Sequence, residues 1–413
     1  MKTSKAIIHI GGSQLQLPSL QWAREAGLYV VLSDMNPGCP GRALADRFEK
    51  ISGTDVEALL QLAHKINKEH KLVGAYCSND FGLPGVAAIS ETFSLPGPTD
   101  VAVQNALDKT RAREIWEREG LPIPKGWQVR TLEELTSLVA DINLPIIIKP
   151  PDSSGSRGVS SAWSETEIIK SFENARGYSD VVLVEELIKG HHIDVNGLFL
   201  DKAFHPCGTL DRFFCDPPYH YPVWGCQPSS LDEPEESQVY QLVERAARVL
   251  GIDEGPVKGD VIFTEEGPIL LEIAPRFHGD TVTTFTTPQA LNCNPIRAWF
   301  THLVNSGEDP KEYLNMESQQ HAGWMAIFPD IQGKLIALDV PDKNEIPVNV
   351  SDIFIREKPG SLINTVKDNT SVYGFIWGTA PNRDELLQSF KITRSKIRFL
   401  VDKIDHNESM DSL

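Results

Sequence analysis

Asp260 and Glu272 bound a segment in which an apolar run, a Glu-Glu-Gly turn and a second apolar run follow one another, with Arg276 just beyond. That pattern predicts a β-hairpin, with Asp260 at the start of one strand and Glu272 near the end of the other. Two carboxylates brought together with no basic residue between them repel unless a cation sits there. A hard divalent ion such as Mg²⁺, which takes oxygen ligands and shares them with phosphates, suits the pair. Arg276 adds a planar fork for an anion. The competing reading is two acids at the exposed ends of a surface hairpin.

Upstream residues add weight to the chemical reading. Pro145 to Lys149 reads as a strand of three isoleucines that delivers a lysine at its end. A Ser/Gly loop follows, Ser153-Ser154-Gly155-Ser156-Arg157-Gly158, and then a second strand from Val159 to Trp163. Glycines there permit successive backbone N–H groups to turn inward over phosphate oxygens. This is not the P-loop pattern, because no Gly-Lys-Ser/Thr follows and no helix opens there. A third piece is Val181 to Gly190, an apolar strand running into Glu185 and Glu186 and then Leu187-Ile188. It offers an apolar slot, backbone hydrogen-bonding groups and a carboxylate, the needs of an adenine ring. Lys109 precedes a predicted helix over Ala112 to Glu119, which stops at Gly120-Leu-Pro122-Ile-Pro124.

The elements that must position these residues begin at the N-terminus. A strand, Ala6 to Ile10, enters Gly11-Gly12-Ser13; a helix over Pro18 to Ala26 follows, then a strand over Leu28 to Leu32. Thr54 and Glu57 form an expected capping box for a helix that carries Val56, Leu59, Leu60, Ala63 and Ile66 on one side. Leu72 to Cys77 reads as a third strand. Alternation of this kind predicts an α/β fold, a parallel sheet with covering helices. Gly11-Gly12 followed by Asp34 lacks the Gly-x-Gly-x-x-Gly spacing of a dinucleotide site. Near the C-terminus, His321 to Phe328 and Gly333 to Leu338 read as strands and Arg383 to Leu400 as a helix.

Length and charge bound the function. A chain of 413 residues allows two or three domains with an ample core. Its net charge of −18 argues against a general nucleic-acid surface and against anionic membranes. No apolar run approaches a membrane span and the N-terminus lacks a secretory cleavage pattern, so a cytoplasmic protein is expected. The six cysteines show no Cys-x-x-Cys spacing and read as reduced packing residues.

In their order along the chain, the motifs around Lys109, Gly120 to Pro124, Lys149 with its Ser/Gly loop, Glu185-Glu186, and Asp260 with Glu272 resemble the ATP-grasp superfamily. The resemblance covers nearly the whole chain and is to the carboxylate–amine ligase type. The stretch Asp34 to Asp46 is similar to the front end of the purine-biosynthesis and carbamoyl-phosphate-synthase-like branches, beside which the L-amino acid ligase-like branch stands. It implies a Rossmann-like pre-ATP-grasp domain over 1–100, an ATP-grasp domain of α+β character over 101–310, and a small C-terminal α+β domain over 311–413 that packs on it.

The same resemblance implies roles. Lys109 and Lys149 would hold the phosphates of ATP, with Ser153, Ser154, Gly155 and Ser156 in the loop that covers them. Glu185 would face the adenine amino group, Glu186 and Ile188 would contact adenine through backbone atoms, and His192 stands where many members place the ribose-binding Glu. Asp260 and Glu272 would hold Mg²⁺ or Mn²⁺. Arg276, with Lys258 as helper, would steady the reacting carboxylate. Ala274 stands where many members have a metal-binding Asn, with Asp280 a candidate substitute. The implied reaction is ADP-forming: a carboxylate is activated as an acyl phosphate and joined to an amine or thiol. Alternatives are a bicarbonate- or formate-activating enzyme, or a non-catalytic ATP-binding regulatory protein. Thr209 to Tyr221, too Pro-rich for a strand throughout, is the candidate substrate loop, with Arg276 to Asp280 its other wall. The expected partners are small molecules and a second copy of the chain in a homodimer.

Overall fold

The computed structural model describes residues 4–279, 281–356 and 358–402. The chain forms two compact units. The first comprises Met1–Pro124, Ile188–Asp211 and Gln227–Gln319; the second comprises Lys125–Leu187, Arg212–Cys226 and Gln320–Leu413.

The first unit opens with the expected parallel sheet. Its strands run in the order Arg47–Glu49, Tyr29–Ser33, Lys5–Ile10, Lys71–Cys77. Successive side chains of a strand point to opposite faces, so both faces of a covered parallel sheet must be apolar. Ile8 and Ile10 pack with Leu59, Ala63 and Ile66 of the helix Val56–Glu69 and with Leu83, Val86 and Ile89 of the helix Leu83–Phe93. Ile7 faces the other way, in a core with Leu20, Ala23, Trp299 and Phe300. One local expectation is corrected: the helix Val56–Glu69 is capped by Asp55, whose side chain accepts from Ala58 N at 3.0 Å, and not by Thr54 with Glu57. Asp55 itself stands at the last non-helical position and its carboxylate reaches the first-turn N–H, which makes the Thr54 pairing redundant.

A second, antiparallel sheet in this unit holds Gly267–Ala274, Gly255–Thr264, His191–Leu200 and the strand Ala203–Phe214 as far as Asp211. The helices Glu233–Leu250 and Lys109–Arg118 lie on it, burying Trp116, Val243, Ala246, Val257, Val261, Leu270 and Ile273 together. Trp116 Nε1 donates to Ala246 O at 3.2 Å, so the indole meets its one polar need inside this core. Thr209 to Phe214 are therefore strand, and the irregular stretch expected over Thr209 to Tyr221 shrinks to its second half. Both prolines of that stretch fall after Phe214, which leaves the strand's ladder intact.

The second unit contains a small antiparallel sheet in the order Gly126–Val129, Val182–Glu186, Ile146–Lys149, Ser160–Ala162. The helices Leu132–Val139 and Glu165–Arg176 cover it through Leu135, Ile168 and Phe172. Its C-terminal part pairs His321–Ile327, Gly374–Ala380 and Val350–Ile355 beneath the helix Arg383–Lys396. The tail departs from expectation. The helix ends at Lys396, and Arg398–Asp402 becomes a strand antiparallel to Gly333–Asp339. Phe399 and Val401 alternate with exposed residues there, a period-two pattern that fits a half-covered sheet. All six cysteines are free, five of them buried, as packing residues should be. Among the described residues no helix is long and apolar enough to cross a membrane.

One buried polar group in the first unit makes the fold sensitive to pH. His9 is fully buried, with Nε2 2.8 Å from Ser19 Oγ and Nδ1 2.9 Å from Gly11 O. Burial lowers its pKa to about 4. The folded state thus resists a proton that the unfolded chain accepts. The stability His9 contributes is present above about pH 6.5 and is lost as pH falls through 4, by about 3 kcal/mol in all. Denaturant titrations across that range should show this slope in the wild type and a shallower one in His9→Gln. An unchanged slope would remove His9 as its source.

Candidate active site

The predicted hairpin forms, with Glu265 and Glu266 at its turn and Asp260 paired in register with Glu272. Asp260 lies in the middle of its strand, Gly255–Thr264, and not at the start, because Gly255 to Gly259 also pair with the neighbouring strand. Period two then decides the site. Lys258 and Asp260 project from one face; opposite them stand Ala274 and Glu272 on one side, and Asn196 and Asp194 on the other.

The cation that the two carboxylates require is already present. Lys258 Nζ lies 2.9 Å from Asp260 Oδ2 and 2.8 Å from Glu272 Oε1. Lys109, in the first turn of a helix capped by Asp108, brings its Nζ to 3.5 Å from Glu272 Oε2. His278 Nε2 is 2.8 Å from Asp260 Oδ1 and 3.5 Å from Asp194 Oδ1, while Asn196 Oδ1 accepts from the His278 backbone N at 2.9 Å. Asp194, Asp260 and His278 each turn a ligand-type atom into one small cluster. Ala274, across from Lys258, is buried and adds no ligand, and Asp280 lies outside the described residues.

These contacts set the charges. Burial pushes the Glu272 carboxyl up, but Lys109 and Lys258 outweigh it and hold the pKa at about 2. Burial works against the Lys258 ammonium, yet Asp260 and Glu272 raise its pKa above the ordinary lysine value. Arg276 is placed differently. Its Nε donates to Asp80 Oδ1 at 2.6 Å, its Nη2 to Asp80 Oδ2 at 3.0 Å, and its Nη1 to Phe277 O at 3.0 Å. Burial pushes the Asp80 carboxyl up, and the guanidinium overcomes this to hold it below the usual range.

In the second unit, Lys149 closes its strand and Glu185 stands on the neighbouring one, where Ile147 is its direct partner. Their side chains meet at 2.5 Å between Nζ and Oε2, both largely buried. The residues expected to serve phosphates and adenine are thus an ion pair. Glu186 N donates to Lys125 O at 3.0 Å, and its carboxylate is 3.7 Å from Lys125 Nζ. Beyond Lys149, Gly155, Ser156 and Gly158 all take positive φ, at 70°, 61° and 74°. A Cβ on Gly158 would stand 2.7 Å from the Tyr178 ring and 3.0 Å from Pro150, so the turn requires glycine. Ser153 and Ser154 lie in the same loop, where Ser154 O accepts from Arg157 Nε at 3.0 Å. Ile188 and His192 belong to the first unit; His192 pairs in register with Ile262, on the same face as Asp194 and Asn196.

Asp80, Asp194 and Asn196 join this cluster without having been singled out by the sequence reading, which placed His278 only in a wall of the substrate loop. A signal for two of them was present: His192, Asp194 and Asn196 alternate with apolar residues in one strand. Asp80 follows the end of the strand Lys71–Cys77, where open α/β sheets place their ligands.

The chain is similar to known proteins along this stretch and in its overall fold. The family model described as D-ala D-ala ligase C-terminus matches residues 115–275, a span that contains the hairpin, Lys149 and Glu185. The chain is 25% identical over 397 residues to the uncharacterized protein y4rH of Sinorhizobium fredii, covering 92% of this chain and 80% of that one. It is 30% identical over 177 residues to the D-alanine–D-alanine ligase of Azoarcus sp., covering 41% of this chain and 56% of that protein. The chain thus spans a little over half the length of that relative. A crystal structure of the L-amino acid ligase from Bacillus licheniformis shares the fold, with a TM-score of 0.82 at 19% identity over 98% of this chain and 100% of that one. Over residues 115–275 the chain is similar to that ligase family, and its overall fold is that of the L-amino acid ligase structure.

The acid limb of stability tests the charge network. The Glu272 contribution is full above about pH 4.5 and is lost as pH falls toward 2, because protonation abandons both lysines. Urea titrations in that window should show a steeper loss for the wild type than for Glu272→Gln. Equal slopes would mean that the carboxylate is not held by its lysines.

Proposed function

We propose that this protein is an ADP-forming ligase that activates a carboxylate as an acyl phosphate and joins it to an amine. The observation that carries this reading is the opposition of Asp260 and Glu272, flanked by Lys258, Lys109 and Arg276, at the paired strands of one hairpin. In this reading residues 1–100 are the pre-ATP-grasp domain, 101–310 the ATP-grasp domain and 311–413 the domain that packs on it.

A carboxylate is a poor electrophile because hydroxide is a poor leaving group. Transfer of the γ-phosphoryl group of ATP to one of its oxygens makes phosphate the leaving group instead. The amine then attacks the carbonyl carbon, loses a proton, and phosphate departs. Catalysis of such a transfer is positioning and charge neutralisation. Lys109 and Lys149 supply positive charge to the phosphates, and the Ser153 to Ser156 backbone supplies N–H donors. Glu185 meets the adenine amino group, with Glu186 and Ile188 at its edge and His192 at the ribose. Arg276 presents a guanidinium to the acyl oxygen as it gains negative charge, with Lys258 beside it.

Asp260 and Glu272 fit a magnesium ion. Both offer hard carboxylate oxygens, and their side chains keep 29% and 25% exposure despite the lysine contacts. Magnesium held there would neutralise charge on the transferring phosphate. Lys258 shares the same two carboxylates and so holds them in place for the metal.

A screen of acid and amine pairs for ADP release, with mass detection of the product, identifies the substrates. Hydroxylamine should trap a hydroxamate when ATP and the right acid are present. Glu272→Gln should abolish turnover, and Arg276→Ala should slow it by roughly 10²–10³-fold while changing ATP affinity little. Release of AMP and pyrophosphate would overturn the mechanism. Lys149→Ala should also abolish turnover, and removing the ammonium beside the buried Glu185 should lower stability in addition.

His192 offers a separate check. If it occupies the ribose position, His192→Glu should keep or tighten binding of a non-hydrolysable ATP analogue in titration calorimetry. A large loss of affinity would assign His192 another role.

A further inference from the structure

We propose that Asp80 is the positioning residue for Arg276, holding one edge of the guanidinium so that the rest of it faces the reacting acid. The inference rests on the ligase reading of Arg276. It adds to the site a carboxylate contributed by the N-terminal sheet, nearly two hundred residues away in the chain.

The geometry is that of a clamp. A guanidinium has five N–H donors in a rigid fork. Asp80 takes Nε and one donor of Nη2 in a two-point contact, and Phe277 O takes one donor of Nη1. Among the described residues this accounts for three of the five, which leaves one donor on each terminal nitrogen for an incoming oxygen. A two-point contact fixes both the position and the plane of the fork, whereas a single bond would let it swing. The side chains of Arg276 and Asp80 are only 11% and 18% exposed, so water does little to loosen them.

Asp80 is itself braced. It opens the short turn Asp80–Gly82, where Asn79 Oδ1 accepts from Gly82 N at 3.0 Å. A Cβ on Gly82 would stand 2.8 Å from Cys77 Cβ, so this tight turn depends on glycine. Gln16 Nε2 donates to Ser78 Oγ at 3.0 Å, tying the turn to the loop that follows the first strand. On the other side, the nearest group to a Cβ built on Gly279 is Ser78 O at 3.5 Å, so the segment after Arg276 runs beside the Asp80 turn at a second point.

A mere ion pair would stabilise the fold and leave the rate alone. A positioning residue acts through Arg276, and this separates the two roles. With the full-length protein labelled with ¹⁵N-arginine, the Arg276 Nε–H signal, identified by its absence in Arg276→Lys, should be protected from solvent exchange. Asp80→Asn should lose that protection, and Asp80→Glu should keep part of it. Protection unchanged in Asp80→Asn overturns the proposal.

The kinetic arm measures ADP release with ATP and a pool of L-amino acids, which present carboxylate and amine together. Asp80→Asn should lower kcat by about 10²-fold, the scale for a misplaced catalytic group, with KM for ATP within about twofold of wild type. In an Arg276→Ala background the same substitution should add nothing. A full, additive loss there would show that Asp80 acts independently of Arg276 and would sink the proposal. Should Arg276→Ala itself turn over at the wild-type rate, the ligase role of Arg276 fails, while the exchange measurement still decides whether Asp80 holds it.

Discussion

A buried ammonium between two carboxylates governs the first unit. Lys258 is 5% exposed, and an isolated charge at that depth is prohibitive. It persists because Asp260 and Glu272 approach it from two sides at normal hydrogen-bonding distances. That demand fixes much around it: the hairpin register must set Asp260 opposite Glu272, and the strand on the far side must keep polar residues at Asp194 and Asn196. Removing one member of such a network leaves the others buried with less compensation, which is why buried pairs are costly to disrupt.

The same logic recurs in the second unit, where Lys149 and Glu185 neutralise one another at the edge of an apolar core. In both places a buried charge is neutralised by a group of opposite sign brought to it by a neighbouring strand. Burial raises the strength of each charge and also its cost, and the partner carboxylate or ammonium offsets that cost. Arg276 follows the pattern with Asp80, with the difference that its fork has donors to spare.

Much of the fold is legible in the sequence. The alternation of strand and helix at the N-terminus, the hairpin from Asp260 to Glu272 and the strand ending at Lys149 follow from local periodicity and turn chemistry. The departures have both local and long-range causes. Asp55 displaced Thr54 as a cap, and the tail after Lys396 turned from helix to strand because Gly333–Asp339 offered a ladder to pair with. Thr209 to Asp211 became strand because a neighbour, His191–Leu200, supplied hydrogen bonds that a single-segment reading does not see.

The sequence by itself determined the inventory: which charges exist, which strands deliver them, and that the ordered motifs resemble ATP-grasp ligases. It also determined that Lys258 and Asp260 share a face, since that needs only the period of a strand. Only the tertiary structure decided that Lys258 sits between the two carboxylates, that His278 and Asn196 close the cluster, and that Asp80 holds Arg276. The reason is physical. Period and propensity act over a few residues, whereas Asp80 and Arg276 meet because two sheets, each burying its own apolar faces, leave their strand ends side by side within one unit.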